Sequence, residues 1–256
     1  MVATHLPEIE KAIWCGHDGT TGDAVRWGHD LGADMLHLSA YQGHGKGAHP
    51  HGIRLTWAVI SEGGVQVKSR GERFWNEAQG YSEAARAVLS QHLGVASTIF
   101  DDRIADIARQ FEDFKQAEKA GAIKTANTIE ALAETCGLPS VSVSETISNI
   151  PWGSKDKFGR VFGATPLAPP FHAVKVTGAL FHTQGGLNID DSARVRLSRG
   201  GVIPNLFAVG GAAVGVSGTS DSGYLSGNGL LSAVVLGNVA GGAAAEMTRD
   251  KDKSHA

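Results

Sequence analysis

An α/β fold, mixing helices with strands in two lobes, follows from three observations on the 256 residues. Glycine is unevenly spread: 11 of the 34 lie between Gly185 and Gly229, while Asp101 to Ile150 holds only Gly121 and Gly137. The glycine-poor middle alternates apolar and charged residues at helical spacing, whereas β-prone runs flank it. Near the C-terminus a short apolar run, a glycine- and serine-rich loop and a long apolar segment follow in that order. Strand, glycine loop and helix so arranged present free backbone N–H groups to a ligand at the helix start.

Taken in order, strands are predicted over 55–60 and 64–67, joined by the turn Glu62-Gly63-Gly64. Helices follow at Ser82 to Gln91, rich in Ala, Leu and Arg, and at Asp101 to Lys119. Asn127 with Glu130 three residues on resembles a capping box, opening a helix through Glu134 that Gly137 and Pro139 close. Further strands are predicted at 174–181, 194–197 and 206–209, the last entering Gly210-Gly211, where the backbone must approach something closely. A loop over 215–229 runs into a helix from Leu230 to Glu246. Ser232, Asn238 and several glycines interrupt that helix, so the run is short of the roughly 20 apolar residues of a membrane span. Burial in a protein core is expected for it.

With 42% hydrophobic and 19% charged residues the chain can bury a substantial core. The balance of 23 Lys+Arg against 26 Asp+Glu gives a formal charge of −3, which supplies no basic field for nucleic acid or an anionic membrane surface. Cys15 and Cys136 lie far apart, so neither a disulfide framework nor a cysteine zinc site is indicated. A reducing, cytoplasmic setting is expected, and the N-terminus has no basic and apolar run of a signal peptide.

Few chemistry-bearing clusters stand out. Gly227-Asn228-Gly229 almost spells a dinucleotide fingerprint, but a loop precedes it where a strand is required. What remains is a ligand-facing helix start at Asn228-Gly229-Leu230. His44, His49 and His51 crowd a glycine-rich segment without a supporting carboxylate or thiolate, and no metal site is predicted. His182 ends an apolar run where it meets Gly185-Gly186, as a core histidine or a site residue. Arg73-Phe74-Trp75-Asn76-Glu77, followed by Tyr81, gathers a cation, aromatics, an amide and a carboxylate; a strand end with an aromatic plug and an ion pair is the commoner reading of such a cluster. No Ser-His-Asp order and no nucleophile elbow is visible.

Together these segments resemble the flavoprotein subunit family of fumarate reductase and succinate dehydrogenase, with its ketosteroid-dehydrogenase-like relatives. Gly22-Asp23 is similar to the family's T-G-D-G helix entry, Tyr41-Gln42-Gly43-His44 to its Q-x-H-P, and Gly71 to Glu77 to its G-x-R-F-x-N-E. His182 to Gly186 resembles H-T-x-G-G, Ile203 to Gly210 resembles I-P-G-L-Y-A-x-G, and Ser226-Gly227-Asn228-Gly229-Leu230 resembles G-G-N-[AS]-L. The resemblance implies FAD as cofactor, held by Gly185, Gly186, Gly210, Gly211, Ser226, Asn228, Gly229 and Leu230, and a small-molecule substrate. It implies part of a Rossmann-like FAD-binding lobe, residues 1–40 with 170–256, and a substrate-capping lobe, residues 41–169. His44, Tyr81, His182 and Tyr224 are the implied substrate and proton-transfer groups, with Arg73 and Glu77 relaying or orienting.

Departures from the family pattern narrow the chemistry. Two arginines of the fumarate reducers, a proton donor and a carboxylate clamp, are replaced here by Tyr81 and Tyr224. Neither phenol offers the bidentate cationic fork that a dicarboxylate favours, so a ketone-activated CH–CH bond is the expected substrate class rather than fumarate or succinate. The family's A-x-G-E glutamate is replaced by Gly211. Nothing before Gly22 contains the G-x-G-x-x-G of the ADP-binding segment. The alternative is a non-catalytic fragment or subunit whose nucleotide-binding half lies on another chain.

Overall fold

The computed structural model describes residues 1–254. They form two compact units, one of Glu8–Cys15 and Gly43–Leu180, the other of Met1–Pro7, Gly16–Gln42 and the chain from Phe181 onward. Helices and sheet mix throughout, the predicted α/β class.

In the first unit the strands run in the order Ile53–Arg54, Tyr41–Ala48, Phe171–Thr183, Val95–Asp101 and Val65–Val67. Phe171–Thr183 also pairs in parallel with Ile13–Trp14 and antiparallel with Ile123–Ala126. Its longest register sets Val95 opposite Thr177 and Asp101 opposite Phe171. β-Branched Val174 and Val176 pack from this strand into a core with Ile99, Phe100, Phe114, Leu132 and Val143. The Phe100 and Phe114 rings meet edge-on at 5.9 Å.

Local structure differs from the sequence reading at definable points. Tyr41–Ala48 is a strand, not a loop, because its glycines admit close neighbours: a Cβ on Gly45 would lie 2.3 Å from Ala84, and one on Gly47 2.5 Å from Ile13. The strand expected over 55–60 ends at Arg54 and gives way to a helical turn, Ala58–Ser61, where Thr56 Oγ1 accepts from Ala58 N–H at 3.3 Å. Val95–Asp101 is a strand buried along nearly its whole length, so no alternation announced it. The helix expected over 101–119 is two helices, Asp102–Ala108 and Glu112–Lys119, broken at extended Phe111. Arg109 clamps that corner with ion pairs to Asp102, Asp106 and Glu118. The next helix is capped by Thr128, not Asn127: its hydroxyl accepts from Ala131 N–H at 3.2 Å.

The second unit is smaller in core. Met35–Leu36 pairs antiparallel with Gly186–Leu187, and Arg194–Arg196 with Val202–Phe207. Ala33, Leu187, Val195, Ala208 and Ala213 close its interior. The last helix, Asn228–Ser254, packs against Gly210 through Ala233. It is not the buried helix expected: Leu230 is 80% exposed and Val234 73%. Apolar residues fall on every face of this helix, and the unit covers only one. An 18-residue stretch within Asn228–Arg249 has a mean hydropathy of 1.4, so by length and composition the helix is long and apolar enough to cross a membrane, contrary to the sequence estimate.

Candidate functional site

Of the predicted site residues, His44, Tyr81, Arg73 and Glu77 fall in the first unit. His44 is carried on the strand Tyr41–Ala48, which is pinned to the helix Tyr81–Leu89 where Gly43 N–H donates to Ser82 Oγ at 2.9 Å. This places the Tyr81 ring against His44, stacked at 5.5 Å. Trp57 meets both rings edge-on, at 5.8 Å from His44 and 6.1 Å from Tyr81. The sequence reading missed Trp57, because it lay in a run read as a strand. Burial of His44, with the cations of Arg54 and Lys46 adding to it, drops its pKa to about 3. The imidazole is therefore neutral at ordinary pH and meets a ligand as a hydrogen-bonding group, not as a cation.

Arg73 and Glu77 are engaged with each other. Glu77 is fully buried and accepts from Arg73 Nε at 2.8 Å and from Gln66 N–H at 3.0 Å. Arg160 Nη1 lies 3.2 Å from the same carboxylate, and Arg73 also pairs with Asp156. Burial alone raises the Asp156 carboxyl, but hydrogen bonds from Arg73, Arg160 and Phe158 outweigh it and hold the group below the usual range. Two guanidinium groups and two carboxylates thus neutralise one another in the interior.

His182, Tyr224 and all the predicted cofactor-binding residues fall in the second unit. The Tyr224 ring meets His182 edge-on at 5.9 Å, and Gln184 Nε2 lies 2.9 Å from His182 Nδ1. Gly229 is close by: a Cβ there would sit 3.6 Å from His182 Cε1. Gly185 and Gly186 pack against protein backbone, where a Cβ would come within 2.3 Å of His37 O and 2.6 Å of Ala213 C. Gly210 takes φ +54° beside Ala233, whereas Gly211 faces open space. Ser226 is exposed, and Asn228 closes the turn before the helix through Nδ2 donating to Leu225 O at 2.8 Å.

Gly227 at φ +83° turns the chain into the last helix. Asn228 N–H and Leu231 N–H find carbonyl acceptors at Leu225 and Gly227. Among the described residues, Gly229 N–H and Leu230 N–H have none, so two donors at the positive end of a long helix stand ready for an acceptor.

A family model described as an FAD binding domain matches residues 1–230. The chain belongs to the FAD binding domain family. FAD is accordingly its cofactor, and the two open N–H groups fit a flavin carbonyl edge. This FAD-binding chain is 29% identical over 256 residues to a probable fumarate reductase, Ifc3, of Shewanella frigidimarina, covering 98% of itself and 42% of that relative. It is 26% identical over 234 residues to a 4-oxocyclohexanecarboxylate 2-dehydrogenase of Sinomonas cyclohexanicum, covering 77% of itself and 41% of the relative. Among solved structures, the open conformation of a flavocytochrome c3 fumarate reductase superposes with a TM-score of 0.75 at 28% identity, over 96% of this chain and 43% of that one. The chain thus spans less than half the length of each of these relatives.

Proposed function

We propose that the chain serves an FAD-dependent oxidoreductase acting on a CH–CH bond next to a carbonyl, with neither fumarate nor succinate as substrate. One observation carries the reading: each phenol that replaces a family arginine rests against a histidine of its own unit, Tyr81 on His44 and Tyr224 on His182. A dicarboxylate needs cationic forks, and here the groups on offer are phenols and a neutral imidazole. Such groups suit a ketone, whose oxygen accepts a hydrogen bond and whose neighbouring carbon exchanges a proton. The name of the cyclohexanone-carboxylate relative points the same way.

Bound FAD supplies the hydride acceptor or donor. The chain's own groups do the rest. Tyr81 and Tyr224 donate to the carbonyl or hold the proton exchanged at carbon, while His44 and His182 fix the phenols and bind the substrate's polar groups. Trp57 adds an apolar wall that favours a ring over an extended diacid. Gly229 and Leu230 N–H groups hold the flavin edge. Arg73 and Glu77 orient the loop that leads into Tyr81.

The alternative, a non-catalytic fragment or subunit completed by another polypeptide bearing the nucleotide-binding half, is favoured by the apolar face of Asn228–Ser254, where Leu230, Leu231, Val234 and Val235 are exposed. The test mixes the purified chain with FAD, removes free flavin and records the flavin absorbance. Retained flavin that is bleached by a saturated cyclic ketone, and not by succinate, supports the enzyme reading. A folded, colourless chain that takes up no FAD favours the alternative.

A further inference from the structure

Three contacts around His182, all within the second unit, fix which of its ring nitrogens carries the hydrogen. Nδ1 lies 3.1 Å from the Thr183 carbonyl oxygen. A carbonyl oxygen only accepts, so this contact is a hydrogen bond when Nδ1 bears the hydrogen. The other two contacts come from the Gln184 side-chain nitrogen, 2.9 Å from Nδ1 and 3.4 Å from Nε2. A donor aimed along an in-plane lone pair of Nδ1 would stand about 5 Å from the nitrogen across the ring. The amide nitrogen instead lies over the face of the imidazole, where an N–H meets the π electrons and leaves the in-plane direction of Nδ1 to Thr183. Gln184 itself is firmly held: it is buried, its backbone N–H donates to Ala40 O, and its carbonyl accepts from Gly215 N–H, each at 2.8 Å. Gly215 makes room for the side chain, since a Cβ there would sit 3.0 Å from Gln184 Oε1. With the hydrogen on Nδ1, Nε2 is the nitrogen left with a lone pair. Its edge of the ring faces the start of the last helix, where a Cβ on Gly229 would stand 3.8 Å away.

We infer that His182 is the proton-accepting base of the site, with Nε2 as the accepting atom and Gln184 as the positioning residue that holds the ring for it. The inference rests on the ketone reading above and divides the work between two residues that meet edge-on, Tyr224 and His182. An Nε2 without hydrogen has nothing to donate to a ketone oxygen, so that oxygen falls to the Tyr224 phenol. The proton on the neighbouring carbon falls to His182. As it leaves, the C–H bond breaks, its electron pair is delocalised from carbon onto the carbonyl oxygen as an enolate, and a new N–H bond forms at Nε2. In the reverse direction the same N–H gives the proton back. The Thr183 carbonyl then accepts from an imidazolium instead of a neutral ring, a stronger hydrogen bond that stabilises the charge. This carbonyl takes the orienting place that a carboxylate holds in a hydrolase triad.

Two measurements on the full chain test this. The first needs neither FAD nor ketone: nitrogen NMR of the histidine-labelled chain above the titration range of histidine, with the His182 signals assigned by their loss in His182→Gln. The hydrogen is expected on Nδ1. Gln184→Met keeps the bulk and loses the amide, so the two ring forms should then average. A hydrogen on Nε2 overturns the inference, and His182 signals unchanged in Gln184→Met overturn the part given to Gln184. The second measurement is turnover by the flavin-loaded protein of a saturated cyclic ketone, with a dye as electron acceptor. His182→Gln keeps an N–H donor and has no basic nitrogen, so kcat should fall by about 10²-fold with KM little changed. Gln184→Met, with the base present and its ring unheld, should lower kcat by about tenfold. A kcat kept by His182→Gln overturns the inference. A wild type with its hydrogen on Nδ1 that oxidises no cyclic ketone removes the substrate reading, and the base role with it.

Discussion

The His44 imidazole stacks on the Tyr81 phenol at 5.5 Å with 29° between the planes, and its burial keeps the imidazole neutral. Its folded pKa of about 3 lies far below the unfolded value of ~6.5. Between these values the unfolded chain binds a proton that the folded chain refuses. The contribution is therefore absent as a penalty above pH ~6.5 and grows as pH falls, at up to ~1.4 kcal/mol per pH unit. His44→Gln should flatten the acid limb of a stability curve measured by urea unfolding.

Tyr81→Phe and Tyr224→Phe remove one hydroxyl each while keeping the ring contacts with His44 and His182. Loss of an acid–base hydroxyl should lower ketone turnover by about 10²-fold or more. Flavin absorbance of the loaded protein should stay as it was. A variant with undiminished turnover takes its tyrosine out of the mechanism.

Arg73→Met leaves Glu77 and Asp156 short of a shared cation in the interior. Breaking a buried pair by removing one partner costs about 3–5 kcal/mol, read as a lower urea midpoint. The pH dependence supplies a second check. Asp156 is held below its usual range in the folded chain, so its contribution is present above pH ~4 and is lost as pH falls below that. Arg73→Met should shrink this acid-sensitive part.

How much of this was legible beforehand varies by residue. The last helix, the long strand that carries His182 near its end and the pairing of Arg73 with Glu77 could be read from apolar periodicity and spacing, because local pattern decides them. The strand bearing His44 could not: Tyr41–Ala48 carries three glycines, and only contacts with Ala84 and Ile13, distant in sequence, make it a strand. Trp57 escaped for the same reason, since its partners lie 13 residues before it and 24 after.

Gly45→Ala measures how tightly that strand is held. An added Cβ would meet Ala84 at 2.3 Å on its side chain and 2.6 Å on its backbone carbon, so the helix Tyr81–Leu89 must move. Overpacking of this kind costs about 1–3 kcal/mol. The displacement acts on the element carrying Tyr81, so the near-ultraviolet circular dichroism of the Trp57 and Tyr81 rings should change along with the urea midpoint.

The exposed flank of the last helix separates the two functional readings. Val234 and Val235 are 73% and 49% exposed, so their replacement by glutamine should leave the stability of the chain within about 0.5 kcal/mol of the original. If another polypeptide covers this flank, two buried amides without partners would weaken the association by about 1–3 kcal/mol each. A titration of the chain with the nucleotide-binding segment of a relative, followed by flavin retention, should then show affinity falling at least tenfold in Val234→Gln/Val235→Gln. Equal affinity for both forms means that this flank is not where the completing polypeptide sits.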